Sequence, residues 1–235
     1  MNNTSRRNFL LTSLGATAGS LLLPNISFAK EQSKPYQGGL ITGQPKPLRY
    51  KSILGFLSEE QITPHHKAHY GGALRGYIAA DEKIQSSITE GTTIDSSAYG
   101  AVQRARTNKA DSVLLHELYF DGMSAKKTVP DAAVLSMIKN RFGSFEKWAA
   151  DFQASAKTAS GWASLAFHPL SGKLYNVVSD KHATGVLWMA TPLVVIDVYE
   201  HAYYVDYKNN KTTYIEKFME YINWEEVSRR FKQIS

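Results

Sequence analysis

Asp197-Val198-Tyr199-Glu200-His201-Ala202-Tyr203-Tyr204 follows without a break on the apolar run Leu193-Val194-Val195-Ile196. A short β-rich apolar run of this kind predicts a buried strand. Asp197 then falls at the strand's end and His201 in the turn four residues on. A carboxylate in such a place is costly unless a partner or a metal neutralises it. The chain has seven histidines: His65, His66, His69, His116, His168, His182 and His201. His65 and His69 share one face of a predicted helix, and His116 lies near the end of another, beside Leu114, Leu115 and Leu118. A histidine on an apolar face is by default a core residue with a satisfied hydrogen bond, so none of them alone identifies a metal.

Working outward, Trp162 to His168 and Lys173 to Val178 are two more β-rich runs, separated by Pro169-Leu170-Ser171-Gly172. They predict a hairpin that the Leu193 strand joins. Helical patterns flank this sheet. Ser58-Glu59-Glu60-Gln61 is a cap followed by acidic first-turn residues, opening a long helix to about Ile84, and Ser96 to about Leu118 forms a second. The two are expected to pair as an antiparallel hairpin. Gly71, Gly72 and Gly76 mark either a close approach of another backbone or a kink. Helices are also predicted over Pro130 to Arg141, Ser144 to Lys157, Tyr214 to Tyr221 and Trp224 to Lys232. The expected class is α+β: a helical-hairpin domain over residues 51–125, then an α/β domain over 126–235 with a small three-stranded antiparallel sheet. Residues 30–50, rich in Gln, Gly, Pro and Lys, read as a flexible lead-in.

The absence of cysteine excludes disulfides, thiolate metal sites and cysteine nucleophiles. Before Glu31 there is no acidic residue, and Arg6-Arg7 stand in Ser5-Arg6-Arg7-Asn8-Phe9-Leu10, ahead of a diluted apolar stretch to Leu23 and then Ser27-Phe28-Ala29. Residues 1–29 resemble a twin-arginine signal peptide with a small-x-Ala cleavage site. That implies the twin-arginine translocase as an export partner and a periplasmic or secreted product. The apolar part falls short of the ~20 residues a membrane span needs, so the mature form is expected to have no membrane partner. Without the leader, 25 basic face 21 acidic side chains. That excess is too small and too scattered for nucleic acid.

The Asp197-to-Tyr204 octet resembles the Asp-x-Trp-Glu-His-Ala-Tyr-Tyr signature of the iron/manganese superoxide dismutases. Around it, in that family's order, stand Gly143-Ser144-Phe145-Glu146-Lys147-Trp148, Ser160-Gly161-Trp162, Tyr207-Lys208-Asn209 and Ile222-Asn223-Trp224-Glu225-Glu226-Val227. His65-His66-x-x-His69-Tyr70 is similar to the family's first-helix motif, and Leu115-His116-Glu117-Leu118-Tyr119-Phe120 takes the place of its second. The resemblance covers about residue 48 to the end. It implies that His65, His116, Asp197 and His201 hold one Fe or Mn ion per subunit, iron slightly favoured, and that the substrate is superoxide. It also implies a homodimer, or a tetramer built from it. Glu200 would reach across the interface to the ligand His201 of the other subunit, and His69 and Tyr204 would pair across it.

The tuning positions depart from the family. Ala73 stands where a gateway Tyr is expected, with Tyr70 and Tyr77 out of register. A Gln beside the metal-bound solvent is replaced at its two expected positions by Ser112 and Thr158, leaving His182, Gln103 or a water to take its role. Tyr199 replaces a Trp, and Lys211 an Arg. The resemblance implies an exported superoxide dismutase; the alternative is a weakly active or non-enzymatic metal-binding relative that keeps fold and ligands. A further oxygen-linked activity at the same ion is the third reading.

Overall fold

The computed structural model describes residues 37–90 and 95–234. The leader at residues 1–29 and the lead-in as far as Tyr36 lie outside them. The rest of the lead-in, expected to have little to bury, is packed. Gly39–Thr42 makes one helical turn, α1, with Gly38 and Gly39 buried. The Gly39 N–H donates to Glu117 Oε1 at 2.7 Å, the Lys46 N–H donates to the Tyr70 hydroxyl at 2.7 Å, and the Lys46 ammonium pairs with Asp121. Backbone groups and one ion pair fasten this segment, and hydropathy does not register either.

Ser58 caps α2 (Glu59–Pro64), its Oγ accepting from the Gln61 N–H at 3.1 Å. The helical path widens into a π-helical turn at His65–Tyr70 before α3 (Gly71–Thr89). α4 (Ser96–Asp121), capped by Asp95, runs back along α3, as the expected hairpin requires. What Gly76 admits is a side chain rather than a backbone: Cδ and Cε of Lys109 would lie 3.1 Å from a Cβ placed there.

α5 (Ala132–Phe142) and α6 (Phe145–Thr158) begin at the caps Asp131 and Ser144. They lead into β1 (Trp162–His168), β2 (Lys173–Ser179) and β3 (Thr191–Asp197). After a 3-10 turn at Glu200–Ala202 come α7 (Tyr204–Tyr207), α8 (Lys211–Glu220) and α9 (Trp224–Lys232). The sheet is antiparallel, in the order β2-β1-β3. α4 packs against β3, and α6 against β1 and β2, so the sheet is covered by helices and β1 is buried over all but its last residue.

The β1–β3 register shifts between Leu165 and Ala166, where Pro192 enters the ladder. A proline has no N–H to give, and a bulge on an edge strand is where one is tolerated. The buried Arg230 of α9 donates to the Leu193 carbonyl there at 2.8 Å. It also donates to Leu118 O at the end of α4 at 3.0 Å, so one guanidinium ties sheet, hairpin and last helix together. The bridge Met123↔Ile222 and the bond from Asn223 N–H to Gly122 O at 2.8 Å fasten the same junction.

Candidate metal centre

Four elements converge on one point. His65 comes from the first position of the π-helical turn, a feature that recurs at functional sites because it shifts one side chain out of helical register. His116 comes from α4, Asp197 from the last residue of β3, and His201 from the 3-10 turn that follows. In the β1–β3 ladder Asp197 sits opposite Trp162, which brings the indole edge-on to the His116 ring at 5.0 Å.

One ligand atom from each of His65, His116, Asp197 and His201 lies within 4.8 Å of the others. Asp197 Oδ2 is the centre: His65 Nε2 lies 3.1 Å from it, His201 Nε2 3.2 Å and His116 Nε2 3.7 Å. His116 Nδ1 stands 2.6 Å from the Ser112 carbonyl oxygen. A carbonyl only accepts, so the proton sits on Nδ1 and Nε2 carries a lone pair. That Nε2 is, among the described residues, the one buried side-chain nitrogen or oxygen without a hydrogen-bond partner. A lone pair thus faces a buried carboxylate oxygen with no proton between them, and a cation removes that conflict.

Electrostatics agree. Burial lowers the His65 and His116 imidazoles, His116 to about 3, so both are neutral at pH 7. Burial alone would raise Asp197, but the hydrogen bonds from His201 and His65 outweigh it and hold the carboxyl well below the usual carboxylate range. Imidazole nitrogens with one carboxylate oxygen form a donor set suited to a first-row ion such as iron or manganese.

Further groups hold these ligands through contacts that the sequence reading did not show. The Tyr199 N–H donates to Asp197 Oδ1 at 3.0 Å. The Tyr214 hydroxyl donates to the Asp197 carbonyl at 2.8 Å and lies 3.0 Å from that of Tyr119. Gln61 grips the turn that carries His201: its Nε2 donates to His201 O at 2.6 Å and its Oε1 accepts from the Val205 N–H at 3.0 Å. Its one sequence signal was an amide beside Ile62 where a helix faces the core.

The remaining candidates separate cleanly. Thr158 is exposed and bonds back to Ala154 O within α6, and Gln103 is taken up by Tyr99 and Arg106 about three and a half turns before His116. Neither reaches the centre. Ser112 does, with Oγ 3.4 Å from His116 Nδ1, and so does His182. The Trp162 indole N–H donates to His182 Nδ1 at 3.0 Å, and the His182 ring stands 6.2 Å from that of His116. Ala73 is buried; Tyr70 is committed to Glu117 at 2.7 Å. Lys211 caps the end of α6 through Ala159 O at 2.6 Å, and Tyr199 stacks on His201 with centroids 5.3 Å apart. His66 binds Lys46 O, and His168 belongs to the β1–β2 turn with Ser171. His69, Glu200 and Tyr204 are exposed, with the His69 ring stacked on His201 at 3.7 Å.

A helical hairpin set against a helix-covered three-stranded sheet, with three imidazoles and one carboxylate converging between them, has the architecture of a mononuclear metalloprotein. Residues 130–230 match the family described as iron/manganese superoxide dismutases, C-terminal domain. The chain is 36% identical over 190 residues to a manganese superoxide dismutase of Haloferax volcanii, covering 80% of this chain and 94% of that protein. It is 34% identical over 194 residues to a superoxide dismutase of Aeropyrum pernix designated Mn/Fe, covering 80% and 89%. To an iron superoxide dismutase of Aquifex aeolicus it is 37% identical over 199 residues, covering 81% and 91%. The chain belongs to the iron/manganese superoxide dismutase family.

Proposed function

We propose that this protein is a superoxide dismutase that converts superoxide to oxygen and hydrogen peroxide at one iron or manganese ion per subunit, held by His65, His116, Asp197 and His201. The observation that carries the reading is the lone pair of His116 Nε2, fixed by the Ser112 carbonyl and aimed at Asp197 Oδ2 with no partner of its own. An iron or manganese ion held by these four residues would supply one-electron redox chemistry toward superoxide. The protein's part is to fix and to shield. Tyr199, Tyr214 and Gln61 hold Asp197 and His201 in place, while Trp162, Phe120 and Tyr119 wall the cluster with apolar rings. Hydrogen bonds of this kind to ligating groups commonly govern metal affinity by 10- to 100-fold. His182 accepts from Trp162 at Nδ1, so its neutral ring carries its proton at Nε2; it stands in for the amide missing at Ser112 and Thr158.

The proposal extends to assembly and export. Exposed Glu200, His69 and Tyr204 surround His201 and support a homodimer in which Glu200 reaches the ligand histidine of the partner subunit. The Arg6-Arg7 leader supports export through the twin-arginine translocase to the periplasm or beyond. Lysine at both positions should hold the precursor in the cytoplasm, and mature protein still found outside would refute that route. The activity is tested by elemental analysis and superoxide removal on one sample of exported protein purified without added metal. About one Fe or Mn per chain with removal well above that of the free ion is expected. Full metal without removal would refute the activity and leave a non-enzymatic relative.

A further inference from the structure

α4 packs against β3, and on β1 and β2 the residues turned toward α4 include the small Ser164, Ala166 and Ser179. Small side chains under a helix leave space, and a cavity of about 400 Å³ opens there. Leu114, Leu115 and Leu118, spaced along one side of α4, form the opposite wall, and the loop from β2 to β3 forms the rim. That volume and a mostly apolar lining are those of a site for a small organic molecule. None of the four metal ligands lines the cavity; His182 does, with its ring 6.2 Å from that of His116. The rim is itself unusual. Val186, Trp188 and Met189 are 52%, 84% and 62% exposed, and Met189 holds φ at 65°, in the left-handed region that a methionine enters only at a cost. Apolar side chains exposed together beside a cavity mark a surface that receives something.

The charged groups of the wall are engaged with one exception. Lys46 pairs with Asp121, Arg229 and Arg230 pair with Glu226, and Glu117 accepts from the Tyr70 hydroxyl and the Gly39 N–H. Asp111, half-buried on α4 one turn before Leu115, also lines the cavity. Its carboxylate has no hydrogen bond or ion pair among the described residues. Burial raises its pKa, and no neighbouring cation offsets the rise. Lys109, two residues earlier, lies along α3 at Gly76, and Lys181 of the rim loop is exposed; neither pairs with it. The wall thus offers a largely apolar surface and one uncompensated negative charge, which an occupant carrying a positive charge would neutralise.

We propose that the cavity between α4 and the sheet binds a hydrophobic organic cation, with its apolar body against Leu114, Leu115 and Val177 and its protonated nitrogen on the Asp111 carboxylate. Burial of the apolar body supplies the affinity, and the carboxylate supplies the preference for a positive charge. Such an occupant is recognised by shape and charge alone, whatever reaction the metal centre carries out.

The test uses three probes of one ring system that differ in charge: the aminoacridine cation, neutral acridine and the acridine carboxylate anion, at mildly alkaline pH. Their affinities for the metal-loaded mature protein are read by equilibrium dialysis, for wild type, Asp111→Asn and Val177→Phe. Wild type should bind the cation about tenfold more tightly than neutral acridine, and the anion most weakly. Asp111→Asn should keep its full metal complement and bind the neutral probe as wild type does, while its affinity for the cation falls about tenfold to meet it. Val177→Phe places a ring in the cavity and should weaken the cation and the neutral probe alike. If Val177→Phe fails to fold, as a lost metal complement or a collapsed thermal melt would show, Asp111→Asn alone decides the matter. A wild type that binds none of the probes, or binds anion and cation equally, would overturn the inference, and so would an undiminished preference for the cation in Asp111→Asn. Probe binding that falls as protein concentration rises would mean that a second copy of the chain covers the cavity, and would also overturn it. Superoxide removal enters none of these outcomes, so failure of the dismutase reading and failure of this one are told apart.

Discussion

Gln61 makes no contact with the ion position through its own side chain, yet the structure gives its removal a definite consequence. The side chain is 1% exposed and spans from α2 to the turn after β3, with one bond to His201 O and one from Val205 N–H. A neutral hydrogen bond contributes about 1 kcal/mol net, and a buried group left without a partner costs about 1–3 kcal/mol. Val205 is 47% exposed, so water can take over its N–H in Gln61→Ala; the His201 carbonyl is less accessible and bears more of the loss. The sum is about 2 kcal/mol, equivalent to a fall of about 4–8 °C in Tm for a domain of this size. His201 rides on the released turn, so metal affinity should also weaken, by about 10- to 100-fold. Urea denaturation of the metal-free protein reads the first effect without the added stabilisation that bound metal gives, and competition with a chelator reads the second. Gln61→Glu keeps the acceptor for Val205 but sets a second acceptor against the His201 carbonyl in a buried site, so it should destabilise at least as much as Gln61→Ala. If Gln61→Ala unfolds at the wild-type urea midpoint and holds its metal as tightly, the turn is fixed by other contacts and the reasoning fails.

Other perturbations address different parts of the molecule. His116→Ala should lose most of the metal found by elemental analysis, and full occupancy would remove His116 from the ligand set. Glu200→Ala should weaken the dimer, raising its dissociation constant about tenfold or more in sedimentation at low concentration; an unchanged constant would count against the bridging role. Arg230→Met should cost about 2–4 kcal/mol, since it strands the buried Leu118 and Leu193 carbonyls and leaves Glu226 to Arg229 alone; a thermal melt within a degree or two of wild type would contradict this. Burial alone would raise Glu226, but Arg229 and Arg230 outweigh it and hold its carboxyl low. Its contribution is therefore complete above an unfolded Glu pKa of about 4.3 and is lost as pH falls through the lower folded value. Glu226→Gln should flatten the acid limb of the stability–pH curve, and an unaltered limb would exclude the pair from acid sensitivity.

The sequence by itself determined the elements and the ligands. Apolar periodicity and side-chain caps are local, so the expected starts at Ser58, Pro130 and Ser144 fall within a residue or two of where the chain makes them, and the β-rich runs mark all three strands. Asp197 and His201 were legible because a strand end and the turn after it lie within five residues. His65 and His116 could be joined to them only through the family resemblance, since nothing local says that the π-helical turn and α4 bring two imidazoles to the end of β3. Tertiary structure decided the rest, because it depends on residues distant in the chain. It set Thr158 and Gln103 aside and brought His182 to Trp162. It fastened the lead-in through Glu117 and Lys46, gave Gln61 its hold on the His201 turn, and laid Lys109 along Gly76. Each of the hydrogen bonds among these joins polar groups 20 to 144 residues apart. Hydropathy and spacing carry no record of such pairs, and only the closed fold brings them within reach.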